Sequence, residues 1–190
     1  MDVTDEQLVA RCKDELPYAT GAFELLLRRY EPVVFRTCRR YLNHHQEAEE
    51  ACQDAFLRAF HGLPKFAGRA NFRTWLFRIV TNVCATRYAA LAKARDRAAA
   101  IQQHAHSLPT VEAPARDSDQ LEGPIGDALD TLAETDRQIL LLRHVADLTL
   151  EEISEAIEMK LSATKMRLYR AEDRLREAFQ QLQPIPEKKS

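Results

Sequence analysis

Between Ala48 and Leu63 the apolar side chains fall at steps of three and four: Ala48, Ala51, Cys52, Ala55, Phe56, Ala59, Phe60 and Leu63. That spacing lines one face of an α-helix and commits the stretch to packing that face against other helices. Pro64 closes it. The same rhythm runs through Phe23, Leu26, Leu27 and Tyr30, then Val33, Val34, Cys38 and Tyr41, which predicts helices interrupted near Pro32. Asn43-His44-His45 reads as a turn and Phe66 to Asn71 as a loop, after which Phe72, Leu76, Ile79, Val80 and Val83 form another buried helical stripe. With 5 glycines in 190 residues and few β-branched runs, little of the chain suits a sheet. An all-α fold is predicted.

After Tyr88 the pattern decays: the Ala-rich residues 89–105 suit a helix but lack an apolar face. Pro109, Pro114, Gly123 and Pro124 then interrupt a polar stretch, as in a flexible linker. Helical spacing resumes with Leu129 and Leu132, then Ile139, Leu140, Leu142 and Val145. Thr149 with Glu152 three residues on is a capping box for a helix from Leu150 to Ile157. A longer helix follows, with Ser162 as its expected N-cap and a stripe of Leu161, Thr164, Leu168, Ala171, Leu175 and Phe179. Two small helical domains are expected, over residues 4–90 and 124–182, with a linker over 91–123.

Net charge is −2, but the charges are segregated. Between Asp54 and Asp96 there is no acid, while Arg58, Lys65, Arg69, Arg73, Arg78, Arg87, Lys93 and Arg95 fall there. A second acid-free interval, Glu158 to Glu172, holds Lys160, Lys165, Arg167 and Arg170. Acidic clusters precede both: Glu47, Glu49, Glu50 and Asp54, then Glu151, Glu152, Glu155 and Glu158. Basic faces are thereby open to phosphate. No stretch approaches the roughly 20 apolar residues that cross a bilayer, and the acidic N-terminus lacks a signal-peptide pattern. Membrane insertion is not expected. Cys12, Cys38, Cys52 and Cys84 have no CxxC spacing and suit buried free thiols in a reducing cytoplasm.

A short acidic helix, a tight turn and a long basic helix describe a helix-turn-helix. With Leu161, Leu168 and Leu175 inward, the opposite face presents Ala163, Met166, Arg167 and Arg170, with Tyr169 at its edge. Arginine pairs with guanine O6 and N7, lysine with phosphate, and an apolar tip such as Met166 meets a thymine methyl. Glycine often occupies the turn of such motifs; here Glu158 stands there.

At this point the chain resembles an extracytoplasmic-function (ECF) RNA polymerase sigma factor, in both domains. Glu47 to Ala59 resembles the acidic helix that docks on the polymerase clamp helices. Phe66-Ala67-Gly68, then Phe72 to Ile79 with Asn82, resembles the promoter-melting and minus-10 segment of sigma region 2. Leu148 to Ile153 and Lys165 to Ala171 resemble the minus-35 reader of sigma region 4, and the run Leu161 to Arg167 is most similar to a SigX-type branch. Ala163, Thr164 and Met166 replace the commoner Thr, Val and Ser of the reading helix.

The resemblance implies a non-enzymatic subunit that binds core RNA polymerase and promoter DNA, needs no cofactor or metal, and meets an anti-sigma factor in many relatives. Its polymerase contacts would be Glu49, Glu50, Gln53, Asp54 and Arg58, whose negative face suits a basic partner. Its minus-10 and melting contacts would be Arg69, Asn71, Arg73, Trp75, Arg78, Asn82 and Arg87, the asparagines on bases and the arginines along the backbone. Trp75 has two readings, stacking on a base or packing inside. Its minus-35 contacts would be Ser162, Ala163, Lys165, Met166, Arg167, Tyr169 and Arg170. Two rivals explain less. A dimeric helix-turn-helix regulator leaves the basic segment around Trp75 without a role, and a helical metalloenzyme built on His44, His45 and Cys52, or on His104 and His106, lacks a ligand motif.

Overall fold

The computed structural model describes residues 3–104 and 123–182, and these are helical with short connections. In the first domain α1 (Asp5–Glu15) opens on a capping box between Thr4 and Gln7. It packs on α2 (Gly21–Leu42), to which Asp5 ties it through Arg29 and Tyr30. Then come α3 (His45–Gly62), a 3-10 turn at Leu63–Lys65, and the long α4 (Phe72–His104).

The expected break near Pro32 does not occur: α2 runs through it. Proline there denies one hydrogen bond to the preceding turn. The two halves nevertheless share one buried stripe, Phe23, Leu26, Tyr30, Val34, Cys38 and Tyr41, and that packing holds them collinear. The turn before α3 is made by Asn43, which caps α2 at φ 49° in the left-handed region that asparagine tolerates. The stretch expected as linker from residue 91 begins as helix, because α4 continues to His104; its side chains from Lys93 to Ile101 are exposed, matching the missing apolar face. Residues 105–122 of that stretch, with His106, lie outside the described residues, and Gly123, expected as its last residue, opens a helix instead.

The second domain comprises α5 (Gly123–Asp130), α6 (Glu134–His144), α7 (Leu150–Ala156) and α8 (Leu161–Leu182). The capping box of Thr149 and Glu152 forms as expected. Ser162 lies inside the first turn of α8 rather than before it. Leu161, expected in the core, is exposed, because the inward stripe of α8 is Thr164, Leu168 and Ala171, with Leu175 half-buried at its end.

The two domains are not held by the tether alone. α7 lies on α4, and α6 lies on α2 and α4, so one apolar cluster runs from Leu8 in α1 to Ala171 in α8. At its centre Arg137 of α6 is 1% exposed, with its guanidinium 3.8 Å from the Tyr88 ring and 5.6 Å from that of Tyr41. Its Nε donates to the Leu129 carbonyl at 3.0 Å, and Asp130 stands 3.7 Å away. Gln138 of the same helix donates to the Tyr41 hydroxyl at 3.4 Å. A buried cation is costly in apolar surroundings, and two aromatic faces with a carbonyl and a carboxylate offset much of that cost.

Candidate nucleic-acid interface

The face expected to read DNA in the second domain lies on the N-terminal half of α8. Thr164, Leu168 and Ala171 point into the domain, leaving Ser162, Ala163, Lys165, Met166, Tyr169 and Arg170 exposed on the other side. Arg167, expected outward with them, is half-buried. Its Nε donates to Asp136 at 2.7 Å, and the other oxygen of that carboxylate takes Arg174. Asp136 is fully buried in the first turn of α6. It therefore pins α8 to α6 from below through two charge-assisted hydrogen bonds. Sequence reasoning missed Asp136: a lone acid at a helix start is ordinary there, and only the fold brings two arginines to it.

The turn before α8 resolves the question of Glu158. It sits at φ 55°, in the left-handed region where glycine is at ease and glutamate is strained.

Of the residues expected at the minus-10 element, Arg69, Asn71, Arg73, Trp75 and Arg78 lie on the loop from Phe66 to Asn71 and the start of α4. Asn71 caps that helix, its Oδ1 accepting from the Thr74 amide at 2.7 Å. Its Nδ2 donates to Glu152 of α7 at 2.7 Å. Arg73 donates to the Ala146 carbonyl, and Arg78 meets Glu158 at 2.5 Å. Three expected DNA contacts thus face the second domain. Arg69 and Asn82 are exposed. Trp75 is half-buried, its ring 4.9 Å from Phe66 and 5.8 Å from Phe72 and covering Gly62, so one side packs while the residue also lines an open cleft. Beside it Thr74 buries a hydroxyl with no partner, in a cleft of about 320 Å³ shared with Phe66, Arg69, Arg78 and Glu155. A second cleft of about 600 Å³ lies between the loop and Glu151, Glu152 and Glu155 of α7.

Electrostatics set the character of these contacts. Burial alone would raise the Glu152 carboxyl, but the Thr149 amide, Asn71 and Arg73 outweigh it and hold the group below the usual range.

Arg87 is not available to DNA in this arrangement. It reaches Glu47 at 3.1 Å and Glu50 and Asp54 at 2.8 Å each, clamping α4 to α3. Two of the expected polymerase contacts, Glu50 and Asp54, are therefore partly engaged inside the domain. Glu49 pairs with His45 at 3.2 Å, and Gln53 and Arg58 are exposed on the same helix. His44 caps α3, its Nδ1 accepting from the Glu47 amide at 3.4 Å, and Cys52 is buried.

Comparison with known proteins bears on the whole chain. Residues 26–94 match the Sigma-70 region 2 family and residues 123–175 match Sigma-70 region 4. The chain is 28% identical to the RNA polymerase sigma-H factor of Pseudomonas aeruginosa, over 94% of its own length and 95% of that protein. It is 26% identical to the ECF sigma factor SigW of Bacillus subtilis, covering 85% and 90% of the two chains. Its fold matches CnrH, solved in complex with the cytosolic domain of CnrY, at TM-score 0.68, 21% identity and 91% and 95% coverage. It also matches the sigma factor RpoE, solved with the anti-sigma factor NepR from Bartonella quintana, at TM-score 0.60, 21% identity and 86% and 98% coverage.

A helical bundle with a basic loop, joined to a helix-turn-helix with an open reading face, defines a two-domain transcription initiation factor that reads promoters. The chain belongs to the sigma-70 family, in its ECF group, and directs promoter-specific initiation by RNA polymerase.

Proposed function

We propose that the work of this sigma factor divides between residues 4–90 and 124–182. The second unit reads the minus-35 element with the outer face of α8: Arg170 and Lys165 take base edges and phosphate, Met166 and Tyr169 make apolar contacts, and Ser162 and Ala163 let the helix end approach the groove. Arg167 acts through Asp136, which fixes its direction. The observation that carries this reading is the burial pattern of α8, which exposes one polar, basic side along its first turns while its apolar side is locked into the domain. A recognition helix requires that arrangement.

The first unit melts and holds the minus-10 element. The loop from Phe66 to Asn71 and the pocket under it, with the unpartnered Thr74 hydroxyl, suit a base taken out of the stack. Arg69, Arg73, Arg78 and Asn82 suit the strand around it, and Trp75 supports the pocket from behind. Glu49, Gln53 and Arg58 on α3, with the outer oxygens of Glu50 and Asp54, meet core polymerase. An anti-sigma factor is proposed as a further partner, and the run Leu161 to Arg167 favours the SigX-type branch. The place of action is the cytoplasm, where polymerase and promoter meet.

The test is reconstitution with core polymerase on a genomic promoter library. Arg170→Ala is expected to reduce initiation at least tenfold at promoters that depend on the upstream element, with core affinity unchanged. Equal loss of both would overturn the assignment of α8.

A further inference from the structure

Cys38 and Cys84 are fully buried where α2 packs on α4, and the Cys84 thiol meets the Cys38 sulfur at 3.6 Å. Neither takes part in the promoter reading described above. A buried cysteine often serves as a small apolar side chain. Two that face each other across a pair of helices form something that alanine or valine in the same places would not, a dithiol. The buried hydroxyls of Thr37 and Thr81 do not compete for it. They donate to the Val33 and Phe77 carbonyls of their own helices, at 2.8 Å and 3.0 Å.

The position of the pair connects it to the working surfaces of the first domain. Its two members stand 46 residues apart in the chain, so a bond between them would enclose α3, the loop from Phe66 to Asn71 and the first turns of α4. Arg87, one turn beyond Cys84, clamps α4 onto Glu47, Glu50 and Asp54 of α3.

We infer that Cys38 and Cys84 form an oxidisable dithiol, whose disulfide, made at the expense of a peroxide, ties α2 to α4 and weakens docking on core polymerase. The effect on docking rests on the role proposed above for α3; the bond itself does not. In the folded chain the thiols are out of water, and the oxidant reaches them when α4 parts locally from α2. One sulfur, as thiolate, attacks the peroxide oxygen–oxygen bond and becomes a sulfenic acid, while the other oxygen leaves as water. The second thiol attacks that sulfur, the sulfur–sulfur bond forms, and the sulfenic oxygen leaves as a second water. Two thiols lose two electrons and two protons, and one hydrogen peroxide becomes two waters. The product suits its surroundings, because a disulfide is neutral, whereas a sulfinate there would be an unpaired buried charge. Bond formation draws the sulfurs together by about 1.5 Å from their present contact. The turn of α4 that carries Arg87 thereby shifts against α3, and the carboxylates of Glu50 and Asp54 shift with it.

The full-length chain, reduced and then treated with hydrogen peroxide, is digested without reductant for peptide mass spectrometry. A Cys38–Cys84 cross-link is expected, and thermal unfolding of the oxidised chain should rise by roughly 5–10 °C. Affinity for core polymerase should fall about tenfold, and dithiothreitol should restore it. A chain carrying Cys12→Ala and Cys52→Ala is expected to respond in the same way. Cys84→Ala, checked for equal helicity by circular dichroism, is expected to keep its polymerase affinity in peroxide. Peroxide that leaves both thiols reduced, or that joins either of them to Cys12 or Cys52, overturns the inference. So does a cross-linked chain that docks as tightly as the reduced one. Glu49→Lys in the reduced chain tests the docking face separately: undiminished core affinity there overturns the assignment of α3, while the mapped cross-link still decides the dithiol.

Discussion

Asp136 anchors α8, the helix proposed to read the minus-35 element. Its carboxylate is fully buried and holds Arg167 at 2.7 Å together with Arg174, although both arginines keep part of their surface in water. Removing one partner of a buried pair costs about 3–5 kcal/mol, and the exposure of the arginines argues for less. Asp136→Asn is expected to cost about 2–3 kcal/mol in urea denaturation and to weaken minus-35 recognition, since Arg167 loses its anchor. A variant as stable as wild type would place the strength of the α6–α8 contact elsewhere. The thiols make a pH statement. Burial pushes the Cys12 thiol, with help from Glu15, from 9.0 to about 11, and the Cys52 thiol, with help from Cys38 and Glu31, from 9.0 to about 12. A group whose folded pKa is raised contributes stability that is complete below its unfolded pKa and fades as pH climbs toward the folded value. Stability is therefore expected to fall by at least about 2 kcal/mol between roughly pH 8 and 10.5. At pH 8 the native chain should resist alkylation by iodoacetamide that the urea-unfolded chain takes up readily; fast native labelling would contradict the burial.

At the scale of elements, local pattern and tertiary packing each decide different things. The stripes of α3, α4 and α8 and the capping box of α7 were legible because each is written within a few turns of its own helix. Pro32 was misleading for the same reason. A proline inside a pattern argues for a break when only the helix itself is weighed, whereas here neighbours on α3 and α4 bury both halves of α2 and outweigh one missing bond. Pro32 is exposed, so its replacement disturbs no core contact. Pro32→Ala is expected to raise stability by about 1–3 kcal/mol, as the Arg28 carbonyl regains a donor. Thermal unfolding checks this directly, and a destabilised variant would mean that a bend at Pro32 is needed for packing. Leu161 failed as a core residue because α8 begins with it: a stripe read from spacing cannot tell where the domain beneath it ends.

For the whole molecule, the site was only half legible, and the reason is electrostatic. A run of cations without acids announces a surface seeking negative charge, but the wheel does not say whether phosphate or a distant carboxylate will supply it. Arg73 and Arg78 find their partners more than seventy residues away, and Arg87 finds three acids on the neighbouring helix. Nor could sequence pair Gly126 with Asn43 or Arg137 with Tyr88, since each contact joins residues that look unremarkable alone. These pairings convert two tethered modules into a body with one continuous core, and that has a thermodynamic consequence. Domains that share a core unfold together, whereas domains joined only by a tether unfold separately. Calorimetry of the wild-type chain is expected to give one transition whose van't Hoff and calorimetric enthalpies agree. Arg137→Ala leaves Tyr41 and Tyr88 without their cation and should split the melt in two, with the four-helix second domain, whose core is smaller, leaving first. Two transitions already present in the wild type would mean that the contacts across α2, α4, α6 and α7 are too weak to couple the domains, and the packed arrangement would then be a minor state of the free protein.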